Sequence, residues 1–355
     1  ASESKVPLWD RQPAVESQGR IFLLGGSTLT VLASKDGKRI WRYPLPLLGG
    51  WDASQSYAGP YVGEKAVVLC RQEATQTSLL GLDRTTGREL WRVPWRLPSV
   101  SRKLILSDGH LLGLRGEETL VALNLQTGRE AGAWKGDIPS SDFRRLFPSL
   151  AGRSFSLGAC IVEDGRRMEF RQTPKGRPND VLPWKGRYLA HYEVDRFIDN
   201  EHPGTNGVAF LAPSPGEETF HDLWGGRRLS FYDQTTDDGE HYGRLVGTDT
   251  DYAYLLHHAW RGGNLSVKVV RVREDGSSAG VAASGLDPNV DPILTAHGLY
   301  AVRGGELWLG KAKARLPAGG FQNVIAILPS GILSYGARSG SGVRLLLTPH
   351  PIDKR

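Results

Sequence analysis

Between His191 and His258 the chain gathers six of its nine histidines and thirteen carboxylates into about a fifth of its 355 residues. Converging imidazoles and carboxylates are what a transition-metal centre or an acid/base pair requires. The runs are HYEVDRFIDNEH (191–202), DDGEH (237–241) and TDTDYAYLLHH (248–258). None carries the HExxH spacing or the ordered oxygen ligands of a calcium loop. The more economical reading puts Asp, Asn, Glu and Gly in long loops, where they bond local backbone. His191, His257 and His258 then lie on strands as packed or edge residues. What remains is a binding surface with no catalytic or metal-ligating residue assigned. Arg196, Asp199, Glu201 and His202 belong to one segment that breaks the surrounding pattern, and Asp237, Asp238, Glu240 and His241 to another. Five carboxylates of one sign, on a chain of net charge +6, call for a cation or a basic partner.

The elements that must position these loops announce themselves by repetition. Leu29 to Arg42 reads LTVLASKDGKRIWR and Leu79 to Arg92 reads LLGLDRTTGRELWR; Leu120 to Trp134, LVALNLQTGREAGAW, is a third copy with two extra residues before its Trp. Each is an alternating apolar strand, a turn whose Gly accepts positive φ, and a second strand bearing an aromatic. One such unit buries neither face by itself, whereas stacked copies bury both. Trp41, Trp91, Trp134 and Trp184 therefore read as plugs between sheets. Trp51, Trp95 and Trp260 fall outside that register, beside Gly, Pro or turns, and read as surface anchors. Later hairpins are expected at Thr173 to Gly176, Ser214 to Glu217, Glu274 to Ser277 and near Lys311 to Lys313, with closing strands at Val324 to Pro329, Ile332 to Gly336 and Val343 to Thr348.

The signature from Asp83 to Trp91, a strand followed by D-x-x-TG-x-x-x-W, resembles the PQQ-like propeller repeat of quinoprotein dehydrogenases and of the outer-membrane assembly lipoprotein BamB. The resemblance implies an all-β, single-domain β-propeller over residues 1–355, with eight four-stranded blades, or seven if Gly285 to Pro317 is not a blade. The last blade is expected to be closed by the N-terminal strand Lys5 to Arg11, so that Trp9 belongs to it. A quinoprotein would also need adjacent cysteines, and Cys70 and Cys160 stand far apart; both read as buried thiols. No PQQ or other cofactor is expected. The reading taken is a non-catalytic scaffold for a protein partner or small ligand, with an extracytoplasmic location implied by the resemblance. The alternatives are a ligand-sensing domain of a larger receptor or signalling kinase, and a hydrolase, lyase or metal site built on the 191–258 cluster.

Charge and hydropathy narrow the classes further. Arg and Lys are scattered singly among acids, without the run that marks a nucleic-acid arm. No apolar stretch approaches the roughly 20 residues of a membrane span, and the first residues, Ala1 to Lys5, are polar and unlike a signal peptide.

Overall fold

A computed structural model describes residues 13–25, 27–46, 57–72, 77–95, 104–107, 109–115, 119–135, 146–148, 154–157, 160–163, 166–169, 177–185, 187–193, 207–213, 220–222, 239–261, 264–316, 323–336 and 345–351. Every strand among them belongs to an antiparallel meander. Sheet 1 holds β1 (Ala14–Ser17), β2 (Arg20–Gly25), β3 (Thr28–Ala33) and β4 (Arg39–Pro44), and sheet 2 holds β5 (Tyr57–Val62), β6 (Ala66–Gln72), β7 (Thr77–Asp83) and β8 (Glu89–Trp95). Sheet 3 follows with β9 (Ile105–Ser107), β10 (His110–Arg115), β11 (Thr119–Asn124) and β12 (Glu130–Lys135), and sheet 4 with β13 (Leu146–Pro148), β14 (Ser154–Leu157), β15 (Cys160–Glu163) and β16 (Arg166–Glu169). Sheet 5 is β17 (Arg177–Trp184), β18 (Arg187–Glu193), β19 (Gly207–Pro213) and β20 (Phe220–Asp222); sheet 6 is β21 (Gly239–Thr248), β22 (Ala253–Arg261), β23 (Asn264–Val272) and β24 (Ser278–Ser284). Sheet 7, from β25 (Ile293–Thr295) through β26 (Gly298–Arg303) and β27 (Glu306–Leu309) to β28 (Ala312–Lys313), lies within the Gly285 to Pro317 segment. Sheet 8 has three described strands, β29 (Val324–Leu328), β30 (Gly331–Tyr335) and β31 (Leu345–Thr348). An all-β chain of four-stranded antiparallel meanders is consistent with a propeller.

The chain divides into two compact units, Ala1–Ser141 with Ala314–Pro351, and Asp142–Lys313 with Ile352–Arg355. In the first, alternation along each strand sends successive side chains to opposite faces, and sheets 1 and 2 are covered on both. Ile21 packs with Ala14, Ile325, Ala326, Leu328 and Leu333 between sheets 8 and 1. Its neighbour Phe22 packs with Leu24, Val31, Trp41, Val67, Leu69 and Leu82 between sheets 1 and 2. Val68, Cys70, Leu79, Leu111, Val121 and Leu123 fill the gap between sheets 2 and 3, so Cys70 is the buried thiol the sequence implied. Trp95 lies in this last cluster at 3% exposure, which corrects its reading as a surface anchor. The strand that ends at Pro94 and Trp95 turns the indole inward, over Gly113.

The repeat turns are built alike. Gly37, Gly87 and Gly128 take φ of 69°, 73° and 64°, and each donates its N–H at 2.9 Å to the carbonyl of Ala33, Asp83 or Asn124. Asp83 Oδ1 accepts the Thr85 and Thr86 N–H at 2.9 and 2.7 Å and the Thr86 hydroxyl at 2.8 Å; Asn124 Oδ1 does the same for Gln126 and Thr127. Trp41 then reaches from sheet 1 to the turn of sheet 2, donating Nε1–H to the Arg84 carbonyl at 3.1 Å, with its ring 2.6 Å from where a Cβ on Gly87 would sit. Trp91 repeats the contact on sheet 3, bonding the Leu125 carbonyl at 2.9 Å and covering Gly128. Glycine is thus required at Gly87 and Gly128 by conformation and by the indole above it.

Arg84, 4% exposed, anchors the junction of sheets 1 and 2. Its guanidinium donates to the carbonyls of Ser17 (2.9 Å), Gly63 (3.1 Å) and Glu64 (3.3 Å) and lies 5.6 Å from the Phe22 ring centre.

In the second unit, Leu256, Val267, Val269 and Ala283 of sheet 6 pack with Leu299 and Ala301 of sheet 7. Trp184 donates to the Asp249 carbonyl of sheet 6 at 2.9 Å. The job is the one expected, but the indole comes from the first strand of its sheet and not the last. Thr173 to Gly176 lies outside the described residues. In sheet 4, Glu163 of β15 pairs with Arg166 of β16. Ser214 to Glu217 lies outside the described residues. The turn at Glu274 to Ser277 forms as expected, closed by Arg273 N–H to the Ser277 carbonyl at 2.9 Å.

Candidate functional site

Of the eight residues read from the sequence as an interaction surface, Arg196, Asp199, Glu201, His202, Asp237 and Asp238 lie outside the described residues. Glu240 and His241 are on β21, where they pair across the sheet with Ala259 and His258; the next residue, Tyr242, faces His257. His191 sits on β18 between Asp180 and Val208. Strand pairing therefore brings His241 and His258 to one register position, while His257 is buried at 2% exposure.

In the TDTDYAYLLHH run, Asp249 spends its carboxylate on its own turn. Asp249 Oδ1 accepts the N–H groups of Asp251 and Tyr252 at 2.8 and 2.7 Å, and Oδ2 accepts the Tyr254 hydroxyl at 2.6 Å. Burial pulls the Asp249 carboxyl upward, but these bonds outweigh it and hold the group below its ordinary range. The same contact, together with burial, pushes the Tyr254 hydroxyl up. A carboxylate saturated by three local donors has little left for a metal. Among the described residues no group of three or more His, Cys, Asp or Glu could hold an ion.

The described surface of the first unit has a different character. Lys35, Lys38, Arg39 and Arg42 are exposed along the turn and outer strand of sheet 1, and the acid among them, Asp36, is tied to Lys38 at 3.2 Å. Ile40 and Leu90 are exposed on the outer strands of sheets 1 and 2. Tyr43 bridges those strands by donating to Glu89 at 2.8 Å, and Glu89 is held in turn by Arg92. Gly37 is exposed where Gly87 and Gly128 are buried. Trp51 lies outside the described residues, and Trp260 is placed on β22 opposite Gly239.

The family model described as outer membrane protein assembly factor BamB matches residues 2–145. Among solved structures, the computationally designed Ika8 protein is similar over 95% of each chain, at 13% identity and a TM-score of 0.51. BamB from Moraxella catarrhalis aligns over 85% of this chain and 94% of its own, at 14% identity and a TM-score of 0.40. A europium-containing methanol dehydrogenase aligns over 82% and 72%, at 11% identity and a TM-score of 0.44. No curated protein sequence matches the chain significantly. No helix among the described residues is long and apolar enough to cross a membrane.

Proposed function

Because residues 2–145 carry PQQ-like repeats of the BamB type, we propose that this protein is a non-catalytic interaction scaffold of the propeller class. The family match carries the reading: the family it names is an assembly factor, whose work is contact between proteins. The packing supports it. Sheets buried on both faces, with indoles fixed over turn glycines, make a rigid frame on which loops are free to vary. The proposed partner surface is the pair of segments Arg196 to Asn206 and Gln234 to Tyr242, the second of which runs onto β21, and their carboxylates suit a basic partner. The same family match supports an extracytoplasmic location.

In the finer reading, the eight sheets are eight blades of one propeller, and residues before Ala14 supply the fourth strand of sheet 8. Removing residues 1–12 is then expected to lower the melting temperature, and an unaltered melt would rule that strand out.

The experiment for function is Asp237→Lys with Asp238→Lys. Partners captured from extract by the wild type and identified by mass spectrometry should be lost by the double variant at unchanged melting temperature. Capture that survives there but is lost by charge reversal elsewhere on the protein places the surface elsewhere.

A further inference from the structure

One end of sheets 1, 2 and 3 is drawn together by its turns. Within sheet 2 the Arg84 N–H reaches the Lys65 carbonyl, so the β5–β6 and β7–β8 links lie side by side. Arg84 then extends its guanidinium to the carbonyl and hydroxyl of Ser17, at the end of β1, at 2.9 and 3.1 Å. A Cβ on Gly63 would stand 2.9 Å from the Leu125 side chain, in the β11–β12 link. The described links at this end are two to five residues long, so the end is low and even. Leu125, the one apolar side chain in them, is buried.

The charges of this end are mostly of one sign. Each repeat places a cation directly after its turn glycine, and Lys38, Arg88 and Arg129 are all exposed, as is Lys65 beside them in sheet 2. Beneath them Arg84 is buried with its N–H groups on carbonyls and a hydroxyl, and Arg20 donates to the Arg84 carbonyl at 3.2 Å. Among the described residues no carboxylate bonds either guanidinium. The acids here are Glu16, Asp36, Glu64 and Asp83. Three of them are held by neighbours: Glu16 by the Ser330 N–H, Asp36 by Lys38, and Asp83 by Thr85 and Thr86. Glu89 and Glu130 follow Arg88 and Arg129 onto the outer strands, where Tyr43 and Arg92 engage Glu89.

We propose that this turn end docks on an anionic lipid surface, with Lys65, Arg88 and Arg129 set against headgroup phosphates. Charge complementarity carries the assignment, and the kind of surface decides between occupants. A tight protein interface is built on buried aromatic or aliphatic anchors, and the described links expose none. A headgroup layer is broad, level and negative, and it attracts each cation near it without needing a pocket. Cations spread one or two to a sheet, on a low end without a groove, suit such a layer better than they suit a single acidic segment. Two of the three are arginines, whose planar fork matches phosphate oxygens. Arg84 and Arg20 add positive charge from below, because carbonyls satisfy their N–H groups without neutralising them. This surface is separate from the mid-chain loops, and the inference goes beyond the scaffold reading.

The test is co-sedimentation of the full chain with vesicles of equal parts phosphatidylglycerol and phosphatidylcholine, and with vesicles of phosphatidylcholine alone. At about 0.05 M salt the protein should sediment with the anionic vesicles only, and raising the salt to about 0.5 M should release it. Lys65→Glu, Arg88→Glu and Arg129→Glu together should weaken the partition about tenfold or more at an unchanged melting temperature. Should that triple variant melt early, the Gln triple at the same positions serves in its place, with a smaller loss. Net charge alone is tested by Arg273→Glu, Lys311→Glu and Arg315→Glu, which change it equally on exposed residues elsewhere and should leave the partition near that of the wild type. Equal loss in both Glu triples overturns the proposal, since the overall charge and not this end would then be responsible. Equal sedimentation with the two kinds of vesicle also overturns it. So does displacement from the anionic vesicles by soluble polyglutamate at a lower charge concentration than theirs, which would make the occupant an acidic polypeptide.

Discussion

Trp41 and Asp83 illustrate how single residues hold a repeat together by different means. Trp41 contributes apolar area and one bond to the Arg84 carbonyl. Trp41→Phe should therefore cost about 1 kcal/mol for the bond, and Trp41→Ala about 3–5 kcal/mol for bond and plug together, both measurable by urea unfolding. Asp83 works through its charge. The Thr86 N–H, then the Thr86 hydroxyl and the Thr85 N–H, hold its carboxyl below the ordinary range against a smaller upward pull from burial. A depressed carboxylate contributes stability that is present above its unfolded pKa and lost as pH falls through the folded one. Asn124 makes the equivalent bonds without a titrating group. Asp83→Asn is accordingly expected to match the wild type in the acid range and to flatten this residue's part of the pH dependence between pH 2 and 5, followed by thermal melts. An acid limb identical to that of the wild type would show that Asp83 does not contribute to it.

At the scale of elements, the turn-and-strand repeat of the first three sheets was legible because each part has its own chemical necessity: alternation for the strand, a glycine for positive φ, an indole to cover it. Legibility faded where these separate. Trp184 resembled an outer-strand plug because the sequence records that an indole is present, not which strand presents it. Trp95 was misread for a related reason, since a neighbouring Pro marks a strand edge without saying which way the next side chain points. The mid-chain loops gave only composition, and composition does not fix where their carboxylates lie. Arg84 was invisible as well: in the sequence it is one more turn cation, yet it is buried and joins three carbonyls of two sheets. Arg84→Leu copies Leu125, its counterpart in sheet 3, but leaves the Ser17 and Gly63 carbonyls without this donor. It should cost about 1–3 kcal/mol by chemical denaturation, and a neutral result would mean that water replaces the guanidinium without loss.

Across the first unit, cohesion runs between parts of the chain that are remote in sequence. Glu16 on β1 accepts the Ser330 N–H at 2.8 Å, beside His350, which contacts the Pro329 carbonyl at 3.1 Å. Ile21 shares a dry cluster with Ile325, Ala326, Leu328 and Leu333. A sheet whose two faces are both covered loses protection when either cover is loosened, because opening exposes the apolar area that the neighbour had hidden. Ile325→Ala removes methylenes on the sheet 8 side of this cluster, at about 2–5 kcal/mol for a buried site. Its effect should appear in sheet 1 as well as in sheet 8. In amide hydrogen exchange, Ile21 and Phe22 should lose protection together with Ile332 and Leu333, while Leu255 and Val269 of the second unit serve as a reference for how far the loosening spreads. If the loss is confined to sheet 8 and the β2 amides keep their wild-type rates, the two sheets open independently. The coupling read from the Ile21 cluster would then be wrong.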